Sequence, residues 1–490
     1  MRKCNKVYEE LIKRKPYLLE ENSSPNVGYF EYGKSKNIEN LLRGVNTYRY
    51  DIYRQKTRKG KIYSLGGGDP IDYKMYKYVK KDINKCLRTA KLSQYPHTIG
   101  NEKVKEKVLD YLDSIDIKNI GSEELLITPS TTYAYSLLIN SIVRRYDVVL
   151  IPTPTYGLFV YGPEKVGGRV EYIELDEKKG WTINLEELST TIDRINKELK
   201  ETHKDLDYVP RVVAIYHQNP HNPLGVSLGK TYKTYLNNLN KICYEKNVLI
   251  IDDLVYRDSV YNDEDIALPL ATMSKYKDNI ITLMGISKSY SLAGIRAGVV
   301  FGNKYIIQDL RDNIFVNMDS VSLITQVAIA SIFNNDKKRV KYRNKFLKGI
   351  KKKYQYNLDI IRYFIEGAQN ISNRSKRKIE KELSKEEISK YENGMKYVTI
   401  YNNLIPASGF FVLIDFTKIK GKRISTKKIN NDIDLVLELY KKDKIKFLPG
   451  SSFCWNNKEQ LIGRFTFSKP SNELIDTMKA LSNIINNLSN

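Results

Sequence analysis

Six short apolar runs, spaced along residues 120–302, restrict the folds open to this chain. They are Leu125–Ile127, Val148–Ile151, Val212–Ile215, Val248–Ile251, Ile280–Ile281 and Val299–Phe301. Helical patterns separate most of them, for example at Thr132–Arg144 and Leu228–Lys246. Continuous apolar strands suit a mostly parallel sheet that is buried on both faces. Their alternation with helices therefore predicts an α/β fold with a central sheet flanked by helices.

The remaining segments are expected to flank or follow that sheet. Residues 1–61 are polar and tyrosine-rich and are predicted to form an N-terminal arm, with a short helix at Lys6–Lys15. We expect the large domain to span residues 62–303. Residues 304–490 are expected to form a connecting helix and a smaller α+β domain. A charged stretch near 370–400 is predicted to be a surface helix inserted in that domain, with disorder as the alternative.

The net charge of +24 does not by itself identify a partner. Basic residues are spread throughout, and no zinc-finger, helix-turn-helix or aromatic RNA-binding signature is visible, so we expect no nucleic-acid partner. An anionic substrate or an acidic protein partner stays open. No apolar run approaches the roughly 18 residues of a membrane span. The start lacks an apolar signal core, and the four cysteines show neither pairing nor metal spacing, so we expect a cytoplasmic protein.

One Lys and one Arg lie in a glycine-punctuated loop between the last two apolar runs. The segment Met284–Gly298 reads Met-Gly-Ile-Ser-Lys-Ser-Tyr-Ser-Leu-Ala-Gly-Ile-Arg-Ala-Gly. A buried Lys has a lowered pKa, and its free amine can form a Schiff base with an aldehyde. The planar guanidinium of Arg suits a phosphate. Lys288 is therefore a candidate nucleophile and Arg296 a candidate anion ligand.

A run of glycines follows one other predicted strand, and a run of hydroxyl residues follows another. Gly66-Gly67-Gly68 comes after a short strand and suits either a close backbone approach to a ligand or a plain turn. Thr128-Pro129-Ser130-Thr131-Thr132 lies where a strand is expected to end and a helix to begin. Helix N-termini offer unpaired N–H groups and the positive end of a dipole. The second segment is therefore either a phosphate site or an ordinary helix cap.

Polar and acidic residues follow the next strands. His217–Gly225 contains two Asn-Pro steps and a Gly, which fix a tight turn at a strand end. Open α/β sheets bind ligands at such ends. Asp252 and Asp253 follow Val248–Ile251, and a buried acid needs a cationic partner. A metal is the disfavoured alternative, because no His or third carboxylate accompanies the pair; we expect no metal site.

In order and spacing these motifs resemble those of pyridoxal-phosphate enzymes of the class I and II aminotransferase family, which have the aspartate-aminotransferase fold. The loop containing Lys288 is similar to the family motif Ser-Lys-x5-Gly-x-Arg. His217–Gly225 is similar to Asn-Pro-x-Asn-Pro-Thr-Gly, with Leu224 in place of Thr. Asp253 and Tyr256 match Asp-x-x-Tyr. The resemblance extends over residues 62–302 and, less fully, 405–470.

The resemblance implies a role for each matched residue. Lys288 would form the Schiff base with pyridoxal 5'-phosphate, Asp253 would pair with the ring nitrogen, and these two with Tyr256 would be the catalytic residues. Tyr256 and Asn222 would bind the ring oxygen, and Tyr156 would stack on the ring. The residues implied at the cofactor phosphate are Ser130, Thr131, Thr132, Ser287, Arg296 and, from a partner subunit, Tyr95. Gly68 and Arg464 would bind the substrate carboxylate.

Two of these positions depart from the family pattern. The family more often has Gly or Ala where Thr131 stands. Gly285 stands where many relatives carry a phosphate-binding Ser, a contact that Ser287 would have to supply.

The resemblance implies an aminotransferase of amino-acid metabolism that moves an amino group from an amino acid to a 2-oxo acid, working as a homodimer. Three alternatives stay open. The first is a lyase, decarboxylase, cyclase or oxidase that uses the same cofactor. The second is a transcription regulator with an aminotransferase-like sensor domain, which needs an N-terminal winged-helix module that residues 1–60 do not show. The third is an inactive carrier, and the intact lysine motif argues against it.

Overall fold

The computed structural model of the protein describes residues 62–89, 92–97 and 100–488. The predicted N-terminal arm and its helix at Lys6–Lys15 lie outside the described residues. In the described part of the chain, no helix is both long and apolar enough to cross a membrane.

A short strand and an eight-stranded sheet form the first part of the described chain. The short strand is β1 (Tyr63–Ser64). The large sheet contains β2 (Leu125–Thr128), β3 (Val148–Thr153), β4 (Arg169–Asp176), β5 (Thr182–Ile183), β6 (Val212–Gln218), β7 (Leu249–Asp253), β8 (Ile280–Gly285) and β9 (Gly298–Gly302). Its strand order is β2-β9-β8-β7-β6-β3-β4-β5. Strands β3, β4, β6, β7 and β8 are mutually parallel, whereas β9 and β5 run antiparallel to their neighbours. The predicted α/β fold with a mostly parallel sheet is confirmed.

The central strands are apolar because helices cover both faces of the sheet. The helices of this region are α1 (Lys77–Thr89), α2 (Glu102–Ser114), α3 (Thr131–Ile142), α4 (Leu158–Lys165), α5 (Leu185–Thr202) and α6 (Lys233–Glu245). One apolar cluster contains Leu138 and Val300, and a second contains Leu188 and Ile250. The sheet is therefore buried between two layers of helices.

The helix predicted at Leu228–Lys246 begins later than expected, at Lys233. Leu228 is not free to start it, because its backbone is held by the Asn219 side chain. The Leu228 N–H donates to Asn219 Oδ1 at 2.8 Å, and Asn219 Nδ2 donates to the Leu228 carbonyl at 3.0 Å. This pairing fixes the turn that carries the two Asn-Pro steps.

Three consecutive helices follow the large sheet. They are α7 (Lys304–Met318), α8 (Leu323–Ile332) and the 30-residue α9 (Lys337–Glu366). Helix α9 ends at Gly367, whose φ of 96° lies in the left-handed region that favours glycine.

The charged stretch after Gly367 forms two short helices where one was predicted. They are α10 (Asn373–Glu380) and α11 (Lys385–Tyr391). Their apolar side chains Ile379 and Tyr391 are buried in the same cluster as Phe364 of α9, with the Phe364 and Tyr391 rings 5.1 Å apart. The segment is therefore packed on α9 by its few apolar residues, while its charged residues face outward.

A second, antiparallel sheet is built from the end of the chain. Its strands are β10 (Thr399–Ile400), β11 (Phe411–Asp415), β15 (Leu448–Pro449) and β16 (Ile462–Thr466), in the order β10-β11-β16-β15. The other elements are a β12 (Arg423–Ile424) and β13 (Lys427–Lys428) hairpin, α12 (Asp432–Asp443), β14 (Ile445–Lys446) and α13 (Ser471–Ile485). Strand β14 pairs in parallel with β1, so residues 62–65 lie beside this end of the chain. The domain boundary expected at 303/304 stays a prediction.

Candidate active site

The predicted site residues meet at the carboxyl ends of the parallel strands. Lys288 lies in the loop between β8 and β9, and its Nζ donates to the Gly68 carbonyl at 2.7 Å. Burial lowers the pKa of the Lys288 amine; Asp69 opposes this effect, and Arg464 adds to it. The loop therefore holds an amine that loses its proton more readily than an ordinary lysine does.

Asp253 ends strand β7 and is buried. Its Oδ2 accepts a hydrogen bond from the Tyr216 hydroxyl at 2.6 Å and one from Gln218 Nε2 at 3.3 Å. Its Oδ1 accepts one from the Val255 N–H at 2.9 Å. Burial raises the pKa of Asp253 to about 6, against the effect of these hydrogen bonds. Among the described residues, no cationic side chain lies within 4.0 Å of this carboxylate.

The neighbouring Asp252 faces the opposite side of the sheet, as expected from the alternation of side chains along a strand. Its Oδ1 lies 3.0 Å from His217 Nδ1, and its Oδ2 accepts from the Leu270 N–H at 3.0 Å. Both carboxylate oxygens of Asp252 therefore have partners within the protein, and Asp253 is the acid that faces the site.

Arg464 comes from strand β16 and reaches the turn after β6. Its side chain is 2% exposed. Nη1 donates to Asn222 Oδ1 at 3.0 Å and Nη2 to the Gly66 carbonyl at 3.2 Å. The guanidinium carbon lies 3.9 Å from the centre of the Phe411 ring. The Arg464 guanidinium is therefore a buried cation, and these two hydrogen bonds go to neutral oxygen atoms of Asn222 and Gly66.

Tyr256 lies near enough to Asp253 and Arg464 for the charges of both to act on its hydroxyl. It is buried, and its ring meets the Phe411 ring edge-on at 6.2 Å. Burial raises the pKa of its hydroxyl above the ordinary value, and the positive charge of Arg464 opposes that rise. The hydroxyl is therefore a neutral hydrogen-bond donor near neutral pH.

The hydroxyl segment after β2 forms the N-terminus of α3. Ser130 caps the helix, because its Oγ accepts from the Tyr133 N–H at 3.0 Å. Thr131 begins the helix and is partly exposed, and Thr132 is exposed. Gly298, the first residue of β9, packs directly on this turn: a Cβ there would lie 2.6 Å from the Thr131 nitrogen.

Arg296 lies two residues before Gly298 and is exposed. Its backbone is in the left-handed region, with a φ of 55°, and its Nη1 donates to the Ala293 carbonyl at 3.1 Å. The packing of Gly298 on Thr131 therefore places Arg296 and the helix N-terminus at one end of the site. Ser287 is partly exposed in the same loop, and its carbonyl accepts from the Leu292 N–H at 3.2 Å.

Two predicted ligands lie on the surface. The Tyr156 ring, after β3, is 38% exposed and meets Phe159 edge-on at 5.9 Å. Tyr95 is 85% exposed. Because its implied contact is with a partner subunit, its role stays a prediction.

Tyr216 and Gln218 were not predicted from the sequence as site residues. Both lie on β6 and contact Asp253, and Gln218 Oε1 also accepts from the Asn222 N–H at 2.9 Å. The parallel register pairs Gln218 with Asp253. Side-chain alternation along β6 then puts Tyr216 on the same face, a signal that becomes readable only once the neighbouring strand is known.

The arrangement fits pyridoxal phosphate. A buried carboxylate without a cationic partner suits the protonated nitrogen of a pyridine ring. A partly buried amine of lowered pKa suits an aldehyde. A helix N-terminus beside an arginine suits a phosphate. The residues that would hold the group thus stand at one edge of the sheet.

Comparisons with known proteins agree with this chemistry. A family model described as aminotransferase class I and II matches residues 62–376. An aspartate aminotransferase of Sulfurisphaera tokodaii is 26% identical over 278 residues, which cover 56% of this chain and 64% of that protein. An S-alkyl-thiohydroximate lyase of Arabidopsis thaliana is 23% identical over 334 residues, which cover 65% of each chain. The matches thus span under two thirds of the length of both relatives.

A solved structure shares the fold. The aspartate aminotransferase from Rhizobium meliloti superposes with a TM-score of 0.73 at 18% sequence identity, covering 91% of this chain and 96% of that one. Together with the family match over residues 62–376, this agreement confirms the predicted family and its cofactor. The chain belongs to the class I and II aminotransferase family of pyridoxal-phosphate-dependent enzymes.

Proposed function

We propose that the protein is an aminotransferase that moves an amino group from an amino acid to a 2-oxo acid. The observation that carries this proposal is the convergence of Lys288, Asp253 and Arg464 on one site. The charges of Asp253 and Arg464 both act on the Lys288 amine, although the three residues come from three separate parts of the chain. A nucleophilic amine, a buried acid and a carboxylate-binding cation are the groups that amino-group transfer requires.

The cofactor would be held by groups at both ends of the site. Ser130, Thr131, Thr132, Ser287 and Arg296 would bind its phosphate, and Tyr156 would stack on its ring. Asn222 and Tyr256 would donate hydrogen bonds to the ring oxygen. When bound, pyridoxal phosphate supplies an aldehyde that condenses with amines and a ring that accepts electron density from the substrate Cα.

Lys288 is proposed to have two tasks. Its amine would be the group that holds the cofactor, through the cofactor aldehyde. The lowered pKa favours the neutral form of a free Lys288 amine, the form that could take the proton from the substrate Cα and hold it for return. The bond to the Gly68 carbonyl keeps the amine at the substrate side of the site.

Arg464 and Gly68 are proposed to orient the amino acid. Two Arg464 N–H groups now donate to neutral oxygens of Asn222 and Gly66. A substrate carboxylate would form stronger, charge-assisted bonds with the same planar guanidinium. Because Arg464 is buried and packed against Phe411, its position is fixed before the substrate binds.

Replacement of Lys288 tests the proposal. We expect Lys288→Ala to lose the visible absorbance band of the lysine-bound cofactor and to lower kcat by at least about a thousandfold, because both proposed tasks are removed. Cofactor absorbance and single-turnover kinetics measure the two effects. A variant with normal turnover would contradict the proposal.

A lyase is the second candidate, because one of the relatives carries that name. The two reactions differ in their need for an acceptor. With an amino acid and a 2-oxo acid, a transaminase yields a new amino acid and a new 2-oxo acid. A lyase releases a fragment of the amino acid without any acceptor. Product analysis with and without a 2-oxo acid separates the two, and release of a fragment without acceptor would overturn transamination.

We further propose that the protein is a cytoplasmic homodimer in which Tyr95 contributes to the phosphate site of the partner subunit. The exposure of Tyr95 supports this assignment, since a tyrosine that is 85% exposed in one chain can be covered by a second.

A further inference from the structure

The Tyr216 hydroxyl makes the shortest hydrogen bond to Asp253. It donates to Oδ2 at 2.6 Å, whereas Gln218 Nε2 lies 3.3 Å from the same oxygen. Both Tyr216 and Asp253 are 2% exposed, so water does not compete for this bond. A hydrogen bond from a neutral donor to an ionised acceptor is strong in such surroundings.

The Tyr216 ring cannot easily move away from the carboxylate. Its ring stacks on Phe159, with the centres 4.1 Å apart and the planes inclined by 26°. The edge of Tyr135 meets it at 5.7 Å. The backbone of Tyr216 is fixed within the central strand β6. The direction of the hydroxyl is thus set by the core of the large sheet.

The two oxygens of Asp253 are used unequally. Oδ2 accepts from Tyr216 and Gln218, while Oδ1 accepts a single bond, from the Val255 N–H at 2.9 Å. A carboxylate oxygen has two acceptor positions. Oδ1 is therefore the oxygen that retains an acceptor position for an N–H group of a ligand.

We propose that Tyr216 is a positioning residue that keeps Asp253 ionised and turns its Oδ1 toward the ring nitrogen of the cofactor. The inference rests on the proposed function, in which Asp253 pairs with that nitrogen. Burial favours the neutral acid, and a donor to the charged form opposes this effect. Without the Tyr216 hydroxyl, Asp253 becomes more basic, and the proton shared with the ring nitrogen moves to the carboxyl group. The ring then accepts electron density less well.

Tyr216→Phe tests the proposal, because it removes the hydroxyl and retains the stacked ring. We expect kcat to fall about tenfold with KM for the amino acid nearly unchanged, since the lost bond acts on the ring and not on substrate binding. The direct readout is the ¹⁵N chemical shift of ring-labelled cofactor bound to the variant, measured by solid-state NMR. We expect this shift to move from the protonated toward the unprotonated range.

Tyr135→Phe is the matched control. Its hydroxyl is also buried in this aromatic cluster, but it donates to the Phe159 carbonyl at 2.6 Å and not to Asp253. We expect the ¹⁵N shift and kcat of this variant to stay at the wild-type values. An equal change in both variants would mean that the cluster acts only through packing, and would overturn the inference.

The same spectra separate the inference from the proposed function. An unprotonated ring nitrogen in the wild-type protein, or no bound cofactor, would contradict the pairing with Asp253 itself. A protonated nitrogen that is unchanged in Tyr216→Phe would leave that pairing intact and reject the role of Tyr216.

Discussion

Burial shifts the pKa values of Lys288 and Asp253 toward neutral pH, from above for the amine and from below for the acid. Burial favours the neutral form of each, so it lowers the pKa of the amine and raises that of the acid to about 6. Each group then exchanges a proton more easily near neutral pH than an exposed residue of its type does. Such a pair of opposed shifts is typical of sites that transfer protons.

The buried acid has a cost for stability that depends on pH. An acid whose pKa is higher in the folded than in the unfolded protein stabilises the fold below its unfolded pKa, and this contribution disappears as pH rises through the folded pKa. For Asp253 the window runs from 3.8 to about 6. Above that window the cofactor-free protein contains a buried charge without a cation.

We therefore expect Asp253→Asn to become more stable relative to the wild type as pH rises through this window. At pH values above this window, the free energy of unfolding of the cofactor-free variant should exceed that of the wild type by about 1–3 kcal/mol. One pKa unit corresponds to about 1.4 kcal/mol. Cofactor affinity should fall in the same variant, because the ring nitrogen loses its counter-charge. Denaturant titrations at several pH values measure the first effect. A stability difference that does not vary with pH would contradict the assigned titration.

At the level of elements, the loop between β8 and β9 and the N-terminus of α3 form one unit. Gly298 is the point of closest contact, where the first residue of β9 meets the Thr131 nitrogen and the Ser130 carbonyl carbon. A side chain there would collide with backbone, which cannot move aside as a flexible side chain can. The contact sets the distance between Arg296 and the helix N-terminus.

Gly298→Ala tests whether this contact shapes the phosphate site. A Cβ would lie 2.6 Å from the Thr131 nitrogen, so we expect the helix N-terminus to shift and the dissociation constant of the cofactor to rise about tenfold or more. The free energy of unfolding should fall by about 1–3 kcal/mol, the usual cost of overpacking. Cofactor titration and thermal unfolding measure the two changes.

Gly294→Ala is the control in the same loop, because a Cβ at Gly294 would meet no atom within 4 Å. Both quantities should stay near the wild-type values in this variant. Equal losses in the two variants would show that the loop tolerates no added methyl group, and the proposed role of the close contact would be wrong.

The strands of the large sheet were largely predictable, because burial on both faces leaves a continuous apolar signal. All six apolar runs form strands. Two strands extend further than their apolar runs, into the polar residues that were expected to follow them: β6 continues through Gln218 and β7 through Asp253. Backbone pairing continues past the last apolar residue, since ladder hydrogen bonds do not depend on side-chain polarity.

Strand β4 was not predicted. It lies next to the edge strand β5, and charged residues interrupt it at Arg169, Glu171, Glu174 and Asp176, so it lacks a continuous apolar run. Prediction of the site residues from the sequence was limited in a similar way. Lys288, Asp253 and Asn222 were identified by their motifs, whereas Tyr216 and Gln218 depend on the register between two strands, which no local pattern encodes.

At the level of the whole molecule, the site draws together both ends of the described chain. Residues 65–71 are held by partners far along the sequence. The Thr466 N–H donates to the Leu65 carbonyl at 2.7 Å, and Ser291 Oγ donates to the Ile71 carbonyl at 2.9 Å. Gly68 is thereby fixed beside Lys288. The catalytic lysine and the proposed carboxylate site thus depend on the complete fold.

If Tyr95 serves the partner's site, two inactive variants should restore each other. We expect Lys288→Ala and Tyr95→Ala each to be impaired alone. In a mixed dimer, one site would combine Lys288 of one chain with Tyr95 of the other. Random reassortment of two chains should therefore recover about a quarter of the wild-type activity. Refolding of an equimolar mixture, with each variant refolded alone as control, measures this. No gain over the separate variants would place Tyr95 outside the partner's site.

The central claim is that the Lys288 amine carries the cofactor. Reduction of the cofactor-loaded protein with borohydride fixes the cofactor to the amine that holds it, and peptide mass spectrometry then identifies that residue among the many lysines of the chain. We predict a pyridoxyl group on the peptide containing Lys288 and, in Lys288→Ala, none at that position. Stoichiometric labelling of a different lysine, or no labelling in a cofactor-saturated protein, would contradict the account.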